Sequence, residues 1–254
     1  MIFRTPRRSA EIERLDSHDA TDAELDQILD FHHLVGRATG GYSIVVRFLR
    51  AAIARSTESS APVSVLDLGC GRGDLARAIA EWGHLRGVEI RVHGTDKYGR
   101  LIQMARARHK RSADLTFETR DLNDPFFLQA QQFDFVVSEM ALHREDDART
   151  ALFLKTANRL ARRGLIIVDW MRDRRALMWV GMLARLGRPE IVRRDARTAV
   201  ERGFSLEEAD KLRESAGLEF AAVRAHVGYR FSISGERALA LRPALSPVTG
   251  LLGA

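Results

Sequence analysis

A short apolar run (Val63, Val65, Leu66, Leu68) ends in glycines at alternate positions, Gly69, Gly71 and Gly73, and an amphipathic pattern opens directly behind them at Asp74, Leu75 and Ile79. That order is strand, tight turn, helix. Glycine has no Cβ, so the turn backbone can approach a ligand closely, and the first turn of the helix offers unpaired N–H groups. A Gly-x-Gly-x-Gly turn alone is weak evidence, because many α/β turns contain glycine. The informative addition is Asp67, two places before the first glycine. Dinucleotide fingerprints carry an apolar residue there and space their glycines Gly-x-Gly-x-x-Gly around a diphosphate. A carboxylate inside the loop repels a diphosphate and suits a ligand with a positive amino group.

The alternation of strands and helices continues downstream. Val88–Gly94 reads as a second strand ending in Thr95-Asp96, and Asp96 lies 25 residues after Gly71. An acidic residue at roughly ~20 residues reaches a ribose in doubly wound folds. Thr116–Thr119 is a short strand followed by Arg120-Asp121-Leu122. Phe133–Val137 is a buried strand that opens into Ser138-Glu139-Met140-Ala141-Leu142-His143, and a helix at Ala148–Arg162 leads to a fifth strand, Gly164–Asp169. The pattern predicts a parallel sheet covered on both faces, with ligands at the carboxyl ends of its strands. The acidic residues and His143 all fall there.

Asp-x-Gly-x-Gly-x-Gly after a strand resembles motif I of the class I S-adenosylmethionine-dependent methyltransferases, and the later segments follow in that family's order. The resemblance implies a doubly wound, seven-stranded, mostly parallel α/β sheet, completed by an antiparallel pair at Glu219–Ala225 and Gly228–Ser234. It implies S-adenosyl-L-methionine as cofactor. Asp67 would serve its amino group, Gly69, Cys70, Gly71 and Gly73 would cradle it, and Asp96 with Lys97 would reach the ribose. Asp121 and Leu122 would hold the adenine, with Ser138 and Met140 along the methionine and sulfonium. The layout from Asp22 to Leu239 is similar to bacterial small-molecule methyltransferases encoded beside type III polyketide synthases, through Gly40-Gly41, Arg72-Gly73-Asp74 and Val168–Arg174. A small lipophilic, aromatic or polyketide-like acceptor and O-methylation are implied. C-methylation of a quinone or ring, and a nucleic-acid methyltransferase, are the alternatives. Ubiquinone-type relatives often carry His-His after strand four, where this chain has His143-Arg144. His143 is the expected base, because an ordinary imidazole pKa near ~6.5 suits deprotonation at neutral pH. Asp169 would orient a donor or the acceptor, and His32, His33 and His226 are the other histidines considered.

The chain of 254 residues fits one α/β domain with an elaboration. Its single cysteine, Cys70, allows neither an internal disulfide nor a cysteine metal cluster, so a cytoplasmic setting and no metal are expected. No apolar run approaches the ~20 residues of a membrane span. The net charge of +6 rests on 40 cationic residues of which only four are lysine, with arginine spread along the chain, so it does not by itself call for nucleic acid. Ser138-Glu139-Met140-Ala141 also stands where base-amino methyltransferases carry Asn-Pro-Pro-Tyr or Asp-Pro-Pro-Tyr. Residues 1–20 read as a flexible N-terminus and 21–60 as a helical arm, with a helix capped by Thr21 or Asp22 and a second at Tyr42–Arg55. The main domain spans 61–242 and contains a cap insertion at 170–204 with an apolar helix at Ala176–Ala184; 243–254 read as a flexible tail. The cap would pack on core and arm, lie over a lipophilic acceptor, or meet a membrane surface or a second copy. Ser205 with Glu208 forms a capping-box pattern for the helix that follows.

Overall fold

The computed structural model describes residues 6–55, 62–124, 127, 132–185 and 189–237. Helices α1 (Asp22–Ala38) and α2 (Gly41–Ala54) precede β1 (Val63–Leu68), α3 (Asp74–Arg86), β2 (Ile90–Asp96), α4 (Gly99–Arg108) and β3 (Leu115–Thr119). Next come β4 (Phe133–Glu139), α5 (Asp147–Leu160), β5 (Ala161–Trp170), α6 (Arg174–Arg185) and α7 (Glu190–Arg202). The chain closes with α8 (Leu206–Ser215), β6 (Ala221–His226) and β7 (Arg230–Glu236).

The strands form one seven-stranded sheet in the order β3-β2-β1-β4-β5-β7-β6. β7 runs antiparallel to both of its neighbours, and the remaining pairs are parallel. Strands are added outward from β1 in one direction and then, from β4, in the other. The reversal leaves a crevice at the carboxyl ends of β1 and β4, where open α/β sheets bind ligands. Alternating side chains feed opposite faces. Leu66, Val136, Leu165 and Ile167 join one core with α5 and α8, while Val65, Phe135, Val137, Ile166 and Val168 join the other with α2 and α3. A third cluster unites Leu15, Ile28, Phe31, Trp170, Val192 and Ala199, and so ties the N-terminal segment, α1 and the cap helices together.

Local signals explain the starts of the helices. Thr21 caps α1 in a reciprocal capping box with Glu24, and Ser205 does the same for α8 with Glu208. β4 continues past Val137 because Ser138 and Glu139 go on pairing with Ile167 and Val168 of β5. The cap holds two helices instead of one. α7 buries small and β-branched residues (Val192, Ala196, Thr198, Ala199) between arginines, a pattern whose apolar stripe is faint in the sequence. The expectation of a flexible segment 1–20 is corrected for residues 6–20. Leu15 is buried there, and Arg8 donates to the carbonyls of His143 (3.1 Å) and Glu145 (2.7 Å). Its partners lie far along the chain, so local polarity alone misreads it. Residues 1–5 and the tail 243–254 lie outside the described residues. No described helix is long and apolar enough to cross a membrane.

Gly94 of β2 has no room for a side chain: a Cβ there would stand 2.7 Å from the Phe117 ring and 2.9 Å from Cys70 Sγ. This close approach seats the glycine turn on β2. Gly94→Ala is expected to destabilise the protein by ~1–3 kcal/mol, the usual cost of overpacking, read as a lower midpoint in equilibrium urea unfolding.

Candidate active site

β1 delivers Asp67 to the crevice, and the chain then turns through Gly69, Gly71 and Gly73 at φ of +77°, +55° and +81°. This is the left-handed region that side chains disfavour. At Gly69 space is limiting as well, since a Cβ would lie 2.5 Å from the Cβ of Ala141 in the loop after β4. The turn is pinned to the end of β2. The N–H groups of Gly69 and Cys70 donate to the Thr95 carbonyl (2.8 and 2.9 Å), and Gly71 N–H donates to Asp96 Oδ2 (3.0 Å). Tyr98 N–H donates to Asp96 Oδ1 (3.0 Å). Backbone donors thus fix Asp96 at the wall of the crevice.

Two clefts meet at this turn. One is bordered by Asp96, Lys97, Leu122, Ala141 and Phe153. The other is bordered by Asp67, Cys70, Gly71, Tyr42, Glu139 and Met140. Gly69 and Arg144 border both. Asp67 is 1% exposed, and its Oδ2 has no hydrogen-bond partner among the described residues. Burial above all, then the charges of Glu139 and Asp96, push its pKa up to about 8. Glu139, at the end of β4, is also raised by burial, although Arg230 Nη1 stands 3.2 Å from its carboxylate. Arg230 itself is fully buried and stacks on the Trp170 ring at 3.8 Å. Arg230 thus answers Glu139, while Asp67 Oδ2 in the same cleft keeps no hydrogen-bond partner among the described residues.

The structure brings Asp67, Gly69, Cys70, Gly71, Asp96, Lys97, Leu122 and Met140 to the clefts as expected from sequence, and it relocates the others. Asp121 does not border the first cleft. Its carboxylate accepts from Arg149 (2.7 Å) and from the Asn123 N–H (3.0 Å), leaving Leu122 to form that wall. Arg149 also binds Glu145 (2.6 Å), which binds Lys97 (2.8 Å), so a chain of alternating charges edges the cleft. Ser138 lies beneath the site: its Oγ donates to the Leu68 carbonyl (2.7 Å) and fastens β4 to β1. Gly73 is the N-cap of α3 and borders neither cleft. Met140 adopts φ +57°, a left-handed backbone uncommon outside glycine, with its N–H bound to the Val168 carbonyl at 3.0 Å. Backbone outliers of this kind gather at functional sites.

His143 is not at the mouth. It is completely buried, with Nδ1 2.5 Å from Asp169 Oδ1 and Nε2 3.2 Å from Glu13 Oε1, while its own N–H donates to Asp169 Oδ2 (2.9 Å). Burial opposes the charge, yet Asp169 and then Glu13 overcome it and raise the imidazole pKa to about 10. At neutral pH it is an imidazolium with both nitrogens engaged, and such a group has no lone pair to take a proton. The expected base and orienting pair, His143 and Asp169, is thereby corrected to a charge lock. The misreading is physical in origin: Glu13 arrives from the N-terminal segment, and nothing in the local sequence announces it. Arg202 of α7 reinforces the lock by donating to the His143 carbonyl (2.9 Å) and the Arg144 carbonyl (3.0 Å). Arg144 in turn pairs with Asp16 at 2.5 Å. Tyr42, Glu139, Arg144 and Arg230 were missed as site residues. Only Glu139 and Arg144 carried a signal, being placed directly after strand four.

Residues 65–164 match the family model of the methyltransferase domain. No curated protein matches the chain. Among solved structures, the plantazolicin methyltransferase in complex with SAH aligns at a TM-score of 0.62 and 13% identity over 86% of this chain and 92% of that one. Magnesium protoporphyrin IX methyltransferase from Synechocystis PCC 6803 with bound SAH aligns at 0.55 and 18% identity over 89% and 91%. The CMeT domain of the citrinin polyketide synthase aligns at 0.58 and 13% identity, covering 77% of this chain; the chain spans about half of that one, 51%. The fold is that of the class I methyltransferases.

His143→Asn strands two buried carboxylates, so a loss of ~3–5 kcal/mol in unfolding free energy is expected. Because the folded-state pKa is raised, the stability contributed by the imidazolium is complete below about pH 6.5 and fades as pH climbs through about 10. Denaturation of wild type and variant across that range should show their gap narrowing toward alkaline pH.

Proposed function

We propose that this chain, a class I methyltransferase by fold, transfers the methyl group of S-adenosylmethionine to a hydroxyl of a small aromatic or polyketide-like acceptor. The observation that carries the reading is Asp67: a buried carboxylate, one oxygen unpartnered, facing a cleft beside a glycine turn. A ligand with an ammonium group satisfies it, and a diphosphate does not. In this reading Asp67 takes the methionine ammonium and Gly69, Cys70 and Gly71 give the backbone close approach. Asp96, with Lys97 beside it, takes the ribose hydroxyls, Leu122 meets the adenine, and Met140 lies along the sulfonium. The donor supplies a methyl group already activated by its positive sulfur. What remains for the protein is to align the acceptor and to receive its proton.

Leu15, Leu29 and Met140 give the second cleft an apolar side, in keeping with a lipophilic acceptor. Part of the arginine surplus is engaged within the fold, since Arg14, Arg72, Arg100, Arg149 and Arg172 are each held in ion pairs. With Cys70 a free, buried thiol, a reducing cytoplasmic setting is consistent.

Calorimetric titration with S-adenosylmethionine tests the assignment. Asp67→Asn is expected to weaken binding at least ~10-fold, as the loss of one charge-assisted contact requires; unchanged affinity would overturn it. The same variant should be more stable than wild type without ligand. Below pH about 4 the carboxyl is protonated whether folded or not, whereas above about 8 the folded protein alone bears a strained charge. The melting advantage of Asp67→Asn should therefore grow from near zero to its maximum across that window. Transfer of labelled methyl to phenolic polyketides, with the product methyl placed by NMR on oxygen or carbon, fixes the acceptor atom.

A further inference from the structure

The lock around His143 leaves the proposed reaction without a base, and the second cleft offers one. His32, on α1, borders that cleft beside Glu139 and Met140. Its Nε2 stands 3.5 Å from Oδ2 of Asp195, which belongs to cap helix α7. The Asp195 side chain is 1% exposed and that of His32 13%, so the pair is shielded from solvent. Oδ1 of Asp195 accepts from the Leu15 N–H at 3.3 Å, which holds the carboxylate in place. Nε2 and Oδ2 are both buried with no hydrogen-bond partner among the described residues, so each is the polar group the other lacks.

This is the arrangement that prepares an imidazole to accept a proton. A carboxylate on one ring nitrogen fixes the N–H there and leaves the lone pair on the other. With Nε2–H turned to Asp195, the lone pair sits on Nδ1, on a ring that borders the cleft beside Glu139. His33, one residue on, points elsewhere. Its Nδ1 is 3.4 Å from the Tyr42 hydroxyl and 3.7 Å from Asp74 at the start of α3, away from the cap. One residue of helix separates the two rings by about 100° around the axis, and only His32 meets the side where the arm and the cap close on each other.

We propose that His32, oriented by Asp195, is the general base that removes the proton from a phenolic hydroxyl of the acceptor. The inference rests on the methyltransferase reading above. The acceptor O–H bond breaks and its proton passes to Nδ1. An oxygen lone pair forms the new O–C bond as the C–S bond of the donor breaks, and that electron pair remains on sulfur as a neutral thioether. The imidazolium, opposite Asp195, later returns its proton to water through the open cleft. Asp195 is a positioning residue, contributed by the cap to a base contributed by the arm.

A chromogenic phenol, 4-nitrophenol, tests this without a known acceptor. It is titrated into the full-length protein saturated with S-adenosylhomocysteine, at a pH below its own ionisation. Wild type should convert the bound probe to the coloured phenolate beyond its free fraction. His32→Gln and Asp195→Asn should lose or reduce that excess, with retained S-adenosylhomocysteine binding showing that each variant is folded. In turnover of a phenolic polyketide, His32→Ala should lose ~10²–10⁴-fold in kcat, and added imidazole should restore part of it, which a merely structural role would not allow. Equal phenolate in wild type and His32→Gln, no excess phenolate at all, or undiminished kcat overturns the proposal. Failure of wild type to bind S-adenosylhomocysteine in the calorimeter would instead overturn the methyltransferase reading itself.

Discussion

Two carboxylates on adjacent strand ends govern this structure. Asp67 and Asp96 close β1 and β2 on either side of the glycine turn, and the charge of Asp96 is among the causes that raise Asp67. The fold handles them differently. Asp96 is satisfied by the N–H groups of Gly71 and Tyr98, whereas one oxygen of Asp67 is left without a donor. An unpaired buried carboxyl costs stability, and a group that costs stability in the free protein can repay it in affinity once a cation arrives. In the function proposed above, the cation that satisfies Asp67 is the ammonium of the methyl donor, whose ribose hydroxyls reach Asp96.

The opposite solution appears in the loop after β4. His143, Asp169 and Glu13 are as deeply buried as Asp67, but there the two carboxylates face two cations, His143 and Arg202, whose Nε stands 3.6 Å from Glu13 Oε1, and Arg8 and Arg202 bind the surrounding carbonyls. Removing any member leaves a charge alone in the interior, so the lock is strong evidence of positional demand and weak evidence of net stabilisation. Its members come from the N-terminal segment, the β4 loop, β5 and the cap. What it secures is the relative placement of those four parts.

Much of the fold was legible because it is local. The glycine turn, the apolar strands and the capping boxes at Thr21 and Ser205 each state their conformation within a few residues, and the seven strands fell within a few positions of their expected places. The placement of Asp67 and Asp96, proposed above for the donor, was legible for the same reason: both are fixed by the strand ends that carry them. The acceptor side was not. Whether His143 is a surface base or a buried imidazolium depends on Glu13, 130 positions earlier, and whether His32 is structural or reactive depends on Asp195, more than 160 positions later. Side-chain direction also escaped the sequence. Asp121 and Ser138 occupy the right loops but turn toward Arg149 and the Leu68 carbonyl.

The division between legible and illegible follows the division of labour in the molecule. Residues 63–170 carry the five parallel strands of the sheet and the loops between them, and every residue assigned above to the methyl donor lies in that stretch. The groups left over, Leu15, Leu29, His32 and Asp195, come from segments before β1 and between β5 and β6, which meet in one apolar cluster around Phe31, Trp170 and Val192. Packing, not pairing of strands, brings them together, and packing tolerates exchange of side chains of similar volume. A common donor site can therefore stay constant in a rigid frame while the arm and the cap vary around it. In the function proposed above, the acceptor would be chosen where α1 faces α7, while the strand ends would hold the methyl donor.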